Sequence, residues 1–315
     1  MKSPRILVTG ANGQIGSELV RELRRRYGQN QILASDIFRP DGAEEPFGIV
    51  NILDAQRLDS VIEKEGVTQI YHLAAILSAK GEENPLKTWE INMQGLFNVL
   101  ECGRKFNLDK IFFPSSIAVF GPNTPKIETP QHTVVEPTTV YGMSKIAGEN
   151  WCQYYHQKYN LDVRSVRYPG IIGHGQKPGG GTTDYAVEIY HKAVLGKDYE
   201  CFLSENTALP MLYMEDAIRG TVDLMEAPAK RIKVRTSYNL SSMSFTPAEI
   251  YAAIKEHYPD FKMTYQPDFR QKIADSWTDS IDDSEARQDW SWQPHYDLEK
   301  MTDDMILHLR MRYNR

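Results

Sequence analysis

The stretch Arg5-Ile6-Leu7-Val8-Thr9-Gly10-Ala11-Asn12-Gly13-Gln14-Ile15-Gly16 decides the fold. A short aliphatic run leads into three spaced glycines, and a segment of helical spacing, Ile15 to Tyr27, opens within the glycine cluster. In a strand-to-helix turn the first glycine permits the tight bend, the second lets backbone approach a pyrophosphate, and the third lets helix pack on strand. The helix N-terminus then presents unpaired N–H groups and the positive end of its dipole to phosphate. A glycine triplet alone also suits an ordinary turn. Asp36 sharpens the reading, because it ends the next aliphatic run, Ile32 to Asp36, twenty residues beyond Gly16. A carboxylate at that distance binds the adenosine ribose hydroxyls and repels a 2′-phosphate. The expected cofactor is therefore NAD rather than NADP, with Arg39 the one nearby cation in favour of the latter.

Outward from this turn the chain alternates. Helices are expected at Leu58 to Glu65 (with Asp54 as N-terminal signal), Pro85 to Phe106 and Tyr141 to Tyr159. Strands are expected at Gln69 to Ala75, Lys110 to Phe113 and Asp162 to Arg167. Strands separated by helix-length segments imply βαβ units, hence an α/β fold with a Rossmann-type, doubly wound parallel sheet covered on both faces. The rhythm changes after Pro169. Six glycines fall in the twelve residues 170–181, which read as a loop, with 173–181 expected to act as a hinge. A helix from about Asp184 to Leu195 follows, and a last one starts near Leu298. Three of the five tryptophans (Trp277, Trp290, Trp292) lie in the last forty residues, suggesting a small C-terminal substrate-binding cap over the sheet's C-terminal edge. The expected division is a cofactor-binding domain over 1–170, with 208–240 returning to it, and a cap over 171–207 and 241–315.

Composition excludes several classes. With 41% hydrophobic and 25% charged residues over 315 positions, the chain is an ordinary globular one. Its 36 basic against 42 acidic residues leave a net charge of −6, so phosphate neutralisation, and with it nucleic-acid binding, has no support. No apolar run approaches the 18 or so residues of a membrane span, and Ile6-Leu7-Val8 is too short for a secretory core. Three cysteines (Cys102, Cys152, Cys201) without metal-type spacing read as reduced thiols of a cytoplasmic protein. The eight histidines form no metal constellation in the sequence, so no metal is expected.

Tyr141-Gly-Met-Ser-Lys145 places a phenol and an ammonium one helical turn apart. The cation is expected to draw the phenol's pKa down from about 10, so that it can act as general base toward an alcohol. Such pairs are commonplace on helix surfaces. Here, however, Pro114-Ser115-Ser116 follows the strand at Ile111 to Phe113, presenting hydroxyls where it leaves the sheet. A hydroxyl there can hold a substrate oxygen while the phenol takes its proton.

The glycine turn, the serine-bearing strand end and the YxxxK spacing together resemble the extended short-chain dehydrogenase/reductase superfamily. That resemblance implies Ser116, Tyr141 and Lys145 as catalytic residues, with Lys145 also on the nicotinamide ribose and Ser115 able to share the serine role. It implies cofactor contacts from Gly10, Asn12, Gly13, Gln14, Ile15, Gly16 and Asp36, with Asn51 and Ile52 at the adenine, where an Asp is usual in place of Asn51. Leu73, Ala74 and Ala75 lie at the third turn, Asn92 supports the lysine through a water, and Tyr168, Pro169 and Ile171 hold the nicotinamide amide. Within the superfamily, His72 to Glu82, Pro114 to Gly121, Gly181 to Ala186, Leu209 to Ala217 and Trp277 to Pro294 are similar to the short-chain-type L-threonine 3-dehydrogenases. The likeness to that branch implies NAD-dependent oxidation of the C3 hydroxyl of L-threonine to 2-amino-3-oxobutanoate, in threonine catabolism. Ser78, Ser116, Tyr141, Thr182, Thr183 and Trp277 are then the substrate contacts. Apart from the likeness, Thr182-Thr183 read as a helix cap, Ser78 as a loop serine and Trp277 as core.

Apolar breadth on Pro85–Phe106 and the aromatics Trp151, Tyr154 and Tyr155 further imply a homodimer through these two helices. The competing readings are a nucleotide-sugar epimerase or dehydratase on the same scaffold, and a dinucleotide-binding sensor without catalysis.

Overall fold

The structure is a computed structural model that describes residues 3–175 and 181–314. Its central sheet has seven strands: β1 (Ile6–Thr9), β2 (Ile32–Asp36), β3 (Phe47–Ile49), β4 (Gln69–His72), β5 (Lys110–Ser116), β6 (Val163–Tyr168) and, much later in the chain, β10 (Tyr238–Asn239). Every pairing is parallel and the order is β10-β6-β5-β4-β1-β2-β3. The doubly wound parallel sheet expected from the sequence is thus present. Its order reverses between β1 and β4, where the connections leave in opposite directions and a crevice opens at the strands' C-terminal ends.

Strand alternation builds two cores. Ile6 and Val8 of β1 join the layer formed by α1 (Gln14–Tyr27) and α7 (Met214–Glu226), whereas Leu7 faces α2 (Ala55–Glu65), α4 (Pro85–Phe106) and α5 (Val140–Tyr159). Asp54 caps α2 by accepting from Arg57 N at 2.9 Å, as expected. The strand foreseen over Gln69 to Ala75 stops at His72, and Leu73 to Ala75 form the turn beyond it. β5 runs further than expected and carries both serines within the sheet.

A third core lies under the C-terminal elements. Gly170–Ile172, expected inside a loop, forms β7, which pairs with β9 (Leu209–Tyr213). β9 also pairs with β11 (Met243–Phe245), and β8 (Tyr199–Cys201) pairs with β12 (Met263–Tyr265). Around these small sheets pack α6 (Tyr185–Val194), α8 (Pro247–His257), α9 (Phe269–Ser276) and α11 (Leu298–Tyr313), with α10 (Ser284–Trp290) and the one-turn α3 (Ser78–Gly81) completing the set. Of the returning segment 208–240, α7 packs against α1 and β6 and β10 extends the main sheet, whereas β9 belongs to the smaller one. The expected hinge at 173–181 is described only at 173–175 and 181; residues 176–180 lie outside the described residues. Among the described residues no helix is long and apolar enough to cross a membrane.

A buried charge pair joins α5 to the sheet. Arg167 of β6 donates to both oxygens of Glu149, at 2.9 and 2.8 Å, and Ser115 of β5 adds a 2.6 Å bond to the same carboxylate. Arg167 also donates to Gln131 O and Asn239 Oδ1. Glu149 is fully buried and Arg167 nearly so, so each charge depends on the other. Arg167→Met, which strands the carboxylate, is expected to lower unfolding stability in urea by about 3–5 kcal/mol. The double variant Glu149→Leu/Arg167→Met should recover much of that loss.

Candidate active site

Two glycines of the first turn are required by close approach. Gly10 has φ +72°, and a Cβ there would lie 2.6 Å from Ala74 N, where the turn after β4 passes. A Cβ on Gly16 would collide with the Gly10 carbonyl oxygen. Gly13 caps α1 without a side-chain bond, and no acidic residue occupies the helix's first turn. This positive helix end opens, with Gly10 to Gly16, onto a cavity of about 260 Å³ at the C-terminal edge of the sheet. An uncapped helix end on a cavity wall suits a pyrophosphate. Asp36 stands at the end of β2 and accepts from Asn12 N at 3.0 Å and Ile37 N at 2.8 Å, which fixes its carboxylate beside the glycine turn. Arg39, the cation that could favour a 2′-phosphate, pairs with Glu45 and donates to Ala43 O.

The same cavity is lined by Leu73, Ala75, Ser78, Ser115, Ser116, Tyr141, Lys145, Tyr168, Pro169, Ile171, Thr182, Thr183 and Trp277. Residues singled out in widely separated stretches of the sequence therefore meet around one cavity. Asn12, Asp36, Asn51, Ile52, Ala74 and Asn92 do not line it. Asn51 turns its oxygen to Leu53 N at 3.0 Å, and Ile52 is buried against Gly95 of α4. Asn92 accepts from Ile76 N at 2.8 Å and donates to Ile76 O and to Ser144 Oγ, pinning the turn after β4 to α4 and α5. With Ala74, His72, Ser144 and Lys145 it encloses a separate space of about 10 Å³, room for one water.

Successive strand residues point to opposite faces, which separates the two serines. Ser115 and its register neighbour Arg167 turn to Glu149. Ser116, paired with Tyr168, lines the cavity with Tyr141 and accepts from Ala118 N at 3.2 Å. Lys145 Nζ donates to Pro114 O at 2.7 Å and lies 5.3 Å from the centre of the Tyr141 ring. Burial pushes the Tyr141 phenol up to about 12, opposed by the Ser116 hydroxyl. The downward pull expected from the lysine does not set the balance in the protein itself. Burial draws Lys145 down to about 8, against the upward influence of Cys152 and Glu149. His72 is buried, bonded to Thr9 Oγ1 at 3.0 Å and driven to about 3 by burial and by Lys145, which makes it a packed neutral ring.

The cap of α6 is Asp184 rather than Thr182 or Thr183, and Asp184 accepts from Gly181 N at 2.7 Å. Thr182 Oγ1 is buried and has no hydrogen-bond partner among the described residues. Ser78 opens α3 instead of lying in a loop, and Trp277 follows α9 with its ring buried. Leu77, Pro114, Ile117, Gly170, Gly181 and Asp184 also line the cavity and were not singled out. For Asp184 a signal existed: a carboxylate two residues beyond Thr182, at the start of a helix.

A glycine turn and a Ser–Tyr–Lys group on one cavity, with the Asp36 carboxylate fixed beside the turn, define a dinucleotide-dependent enzyme of the extended short-chain dehydrogenase/reductase type. Residues 6–252 match the NAD dependent epimerase/dehydratase family, and the chain belongs to that family. It is an NAD oxidoreductase by kind. An uncharacterized epimerase/dehydratase of Staphylococcus saprophyticus is 49% identical over 307 residues, covering 96% of each chain. Among solved structures, the GalE-like L-threonine dehydrogenase of Cupriavidus necator in its holo form is 56% identical, with TM-score 0.96, covering 97% of this chain and 100% of that one. A monomeric L-threonine 3-dehydrogenase from a metagenome is 49% identical, with TM-score 0.95 and coverage of 98% and 100%.

Because the folded lysine's pKa of about 8 lies below its ordinary 10.5, its charged form is disfavoured by folding. The penalty is present in full below pH 8 and disappears as pH rises toward 10.5; it amounts to roughly 3 kcal/mol. The lost bond to Pro114 O, made by a charged donor, offsets about 1.5–3 kcal/mol of this. The unfolding temperature of Lys145→Met relative to the parent is therefore expected to fall as pH rises from 7 to 10.5, because only the parent sheds the penalty.

Proposed function

We propose that the protein oxidises the C3 hydroxyl of L-threonine to 2-amino-3-oxobutanoate with NAD as cofactor. The observation that carries this reading is that Ser116, Tyr141 and Lys145 line one cavity together with the glycine turn. Gly10, Asn12, Gly13, Gln14, Ile15 and Gly16 hold the pyrophosphate, Asp36 the ribose hydroxyls, and Asn51 and Ile52 flank the adenine. Leu73 to Ala75, Ser115, Tyr168, Pro169 and Ile171 flank the nicotinamide half, and Asn92 steadies Lys145 across the small polar space. Bound NAD supplies the hydride acceptor. Ser116 orients the substrate oxygen and Tyr141, in its phenolate form, takes its proton. The Lys145 ammonium makes that transfer easier by favouring the phenolate.

A small zwitterion needs polar partners once it leaves water. The orphaned Thr182 hydroxyl, with Ser78 and Thr183, suits its carboxylate, and Trp277 closes an apolar side. Asp184 is the one carboxylate on the cavity wall among the described residues, which fits a guest carrying an ammonium. In this reading residues 1–170 with α7 and β10 of the returning segment form the cofactor-binding body, and the smaller sheets, β9 included, with the remaining C-terminal elements form the cap. Trp89, Trp151 and Tyr154 are each about two-fifths exposed on α4 and α5, which supports self-association through these helices.

The second reading, a nucleotide-sugar epimerase or dehydratase, draws on the family description and on the curated relative. Against it, Lys145 is the only basic side chain on the cavity wall among the described residues, and it is already bonded to Pro114 O. A second diphosphate would find no further cation there among the described residues.

Incubation with NAD and L-threonine is expected to accumulate NADH in proportion to threonine consumed; an epimerase accumulates none. Tyr141→Phe should retain NAD binding while turnover falls roughly 10²–10⁴-fold, and unchanged turnover would refute the assigned base. Sedimentation at micromolar concentration tests the dimer, which a monomeric boundary would contradict.

A further inference from the structure

Away from the cavity, the segment after β7, the start of α7 and the last helix converge on a second cluster. The ring of His174, two residues beyond β7, stacks on that of His308 in α11, with centroids 3.9 Å apart and planes within 8°. Asp304 precedes His308 by four residues, so both project from one face of α11. One ligand atom from each of His174, Asp304 and His308 can be chosen so that all three lie within 4.8 Å of one another. Glu215, in the first turn of α7, comes within 3.4 Å of His174 Nε2.

We infer that His174, Asp304 and His308 bind one divalent transition-metal ion of the zinc type, which fastens α11 to the end of β7. Two imidazole nitrogens and a carboxylate oxygen are a donor set that such ions prefer, and Glu215 or water completes four-coordination. The surrounding charge favours a cation. Asp304 and Glu215 face the two rings, while the neighbouring Arg312 is turned to the carbonyl oxygens of His174 and Gly175, at 3.0 and 3.3 Å. The outer contacts are also in place, since the Tyr213 hydroxyl donates to Asp304 Oδ2 at 2.5 Å and so sets the carboxylate's orientation. A metal must lie in the plane of each ligating ring, so one ring of the stack turns about its Cβ–Cγ bond to admit the ion; that torsion is soft. None of these residues lines the active-site cavity, which makes the ion a structural clamp. The ligands are separated by 130 positions (174 to 304), which is why no metal motif appears in the sequence.

The test is equilibrium dialysis of the chelator-treated full chain against zinc chloride, with thermal unfolding and the visible d–d absorption of added cobalt(II) as second readouts. The parent protein is expected to take up one zinc per chain, to unfold at a higher temperature with zinc, and to give tetrahedral cobalt bands. Even outer partners of a metal are worth roughly 10–100-fold in affinity, so His308→Ala, Asp304→Asn and His174→Asn should each weaken zinc binding by at least tenfold. His174→Asn alters a segment outside any helix and keeps the result decisive if a helix variant fails to fold. Tyr141→Phe should bind zinc as the parent does. No zinc uptake by the parent, or uptake unchanged in the His174 and Asp304 variants, would overturn the assignment.

Discussion

The site depends on how α5 is fastened to the end of β5. Lys145 reaches the Pro114 carbonyl at 2.7 Å, and one turn further along the helix Glu149 holds Ser115 and Arg167. These bonds are made in the interior, where unpaired polar groups are penalised by kilocalories. They fix the helix against the strand in register and in rotation. Tyr141, one turn before Lys145, then meets Ser116, one residue after the serine bound to Glu149. The positions of phenol and hydroxyl thus follow from an anchorage in which Glu149 and Arg167 have no chemical step of their own, while Lys145 serves both the anchorage and the site.

Burial has two opposed effects here. It allows the buried ion pair and the lysine–carbonyl bond to be strong, but it also raises the Tyr141 phenol and lowers the Lys145 ammonium. The protein alone therefore holds a neutral phenol beside a cation whose charge is easily lost. Local spacing on a helix suggested the opposite balance for the tyrosine, because it counted the neighbouring charge and not the desolvation. A pattern of residues reports which groups are close; the solvent around them reports which protonation state is favoured.

Much of the fold was legible because its signals are local. The aliphatic strand, the glycine turn and the carboxylate at the end of β2 are contiguous, and helices α1, α4 and α5 announce themselves by their periodicity. The serine, tyrosine and lysine could be placed together because the strand end and the helix both belong to that repeating scheme. What escaped detection depends on long-range pairing. β7 was hidden in a glycine-rich run, since its strand character comes from β9, forty residues away. Asp184 displaced the threonines as the cap because Gly181 N folds back on it. The choice between Ser115 and Ser116 required the register with β6, which no spacing within β5 supplies.

Asn92 ties these levels together. Its amide grips Ile76 through both the backbone N–H and the carbonyl, so its two ends are not interchangeable: an acid lacks the donor and a longer amide overshoots. The turn it grips leads directly to Leu77 and Ser78 on the cavity wall. Trp89, partly exposed on the same helix, lies one turn before it. Anything that leans on the outside of this helix therefore bears on the same element whose inner side chain holds the pocket's rim in place.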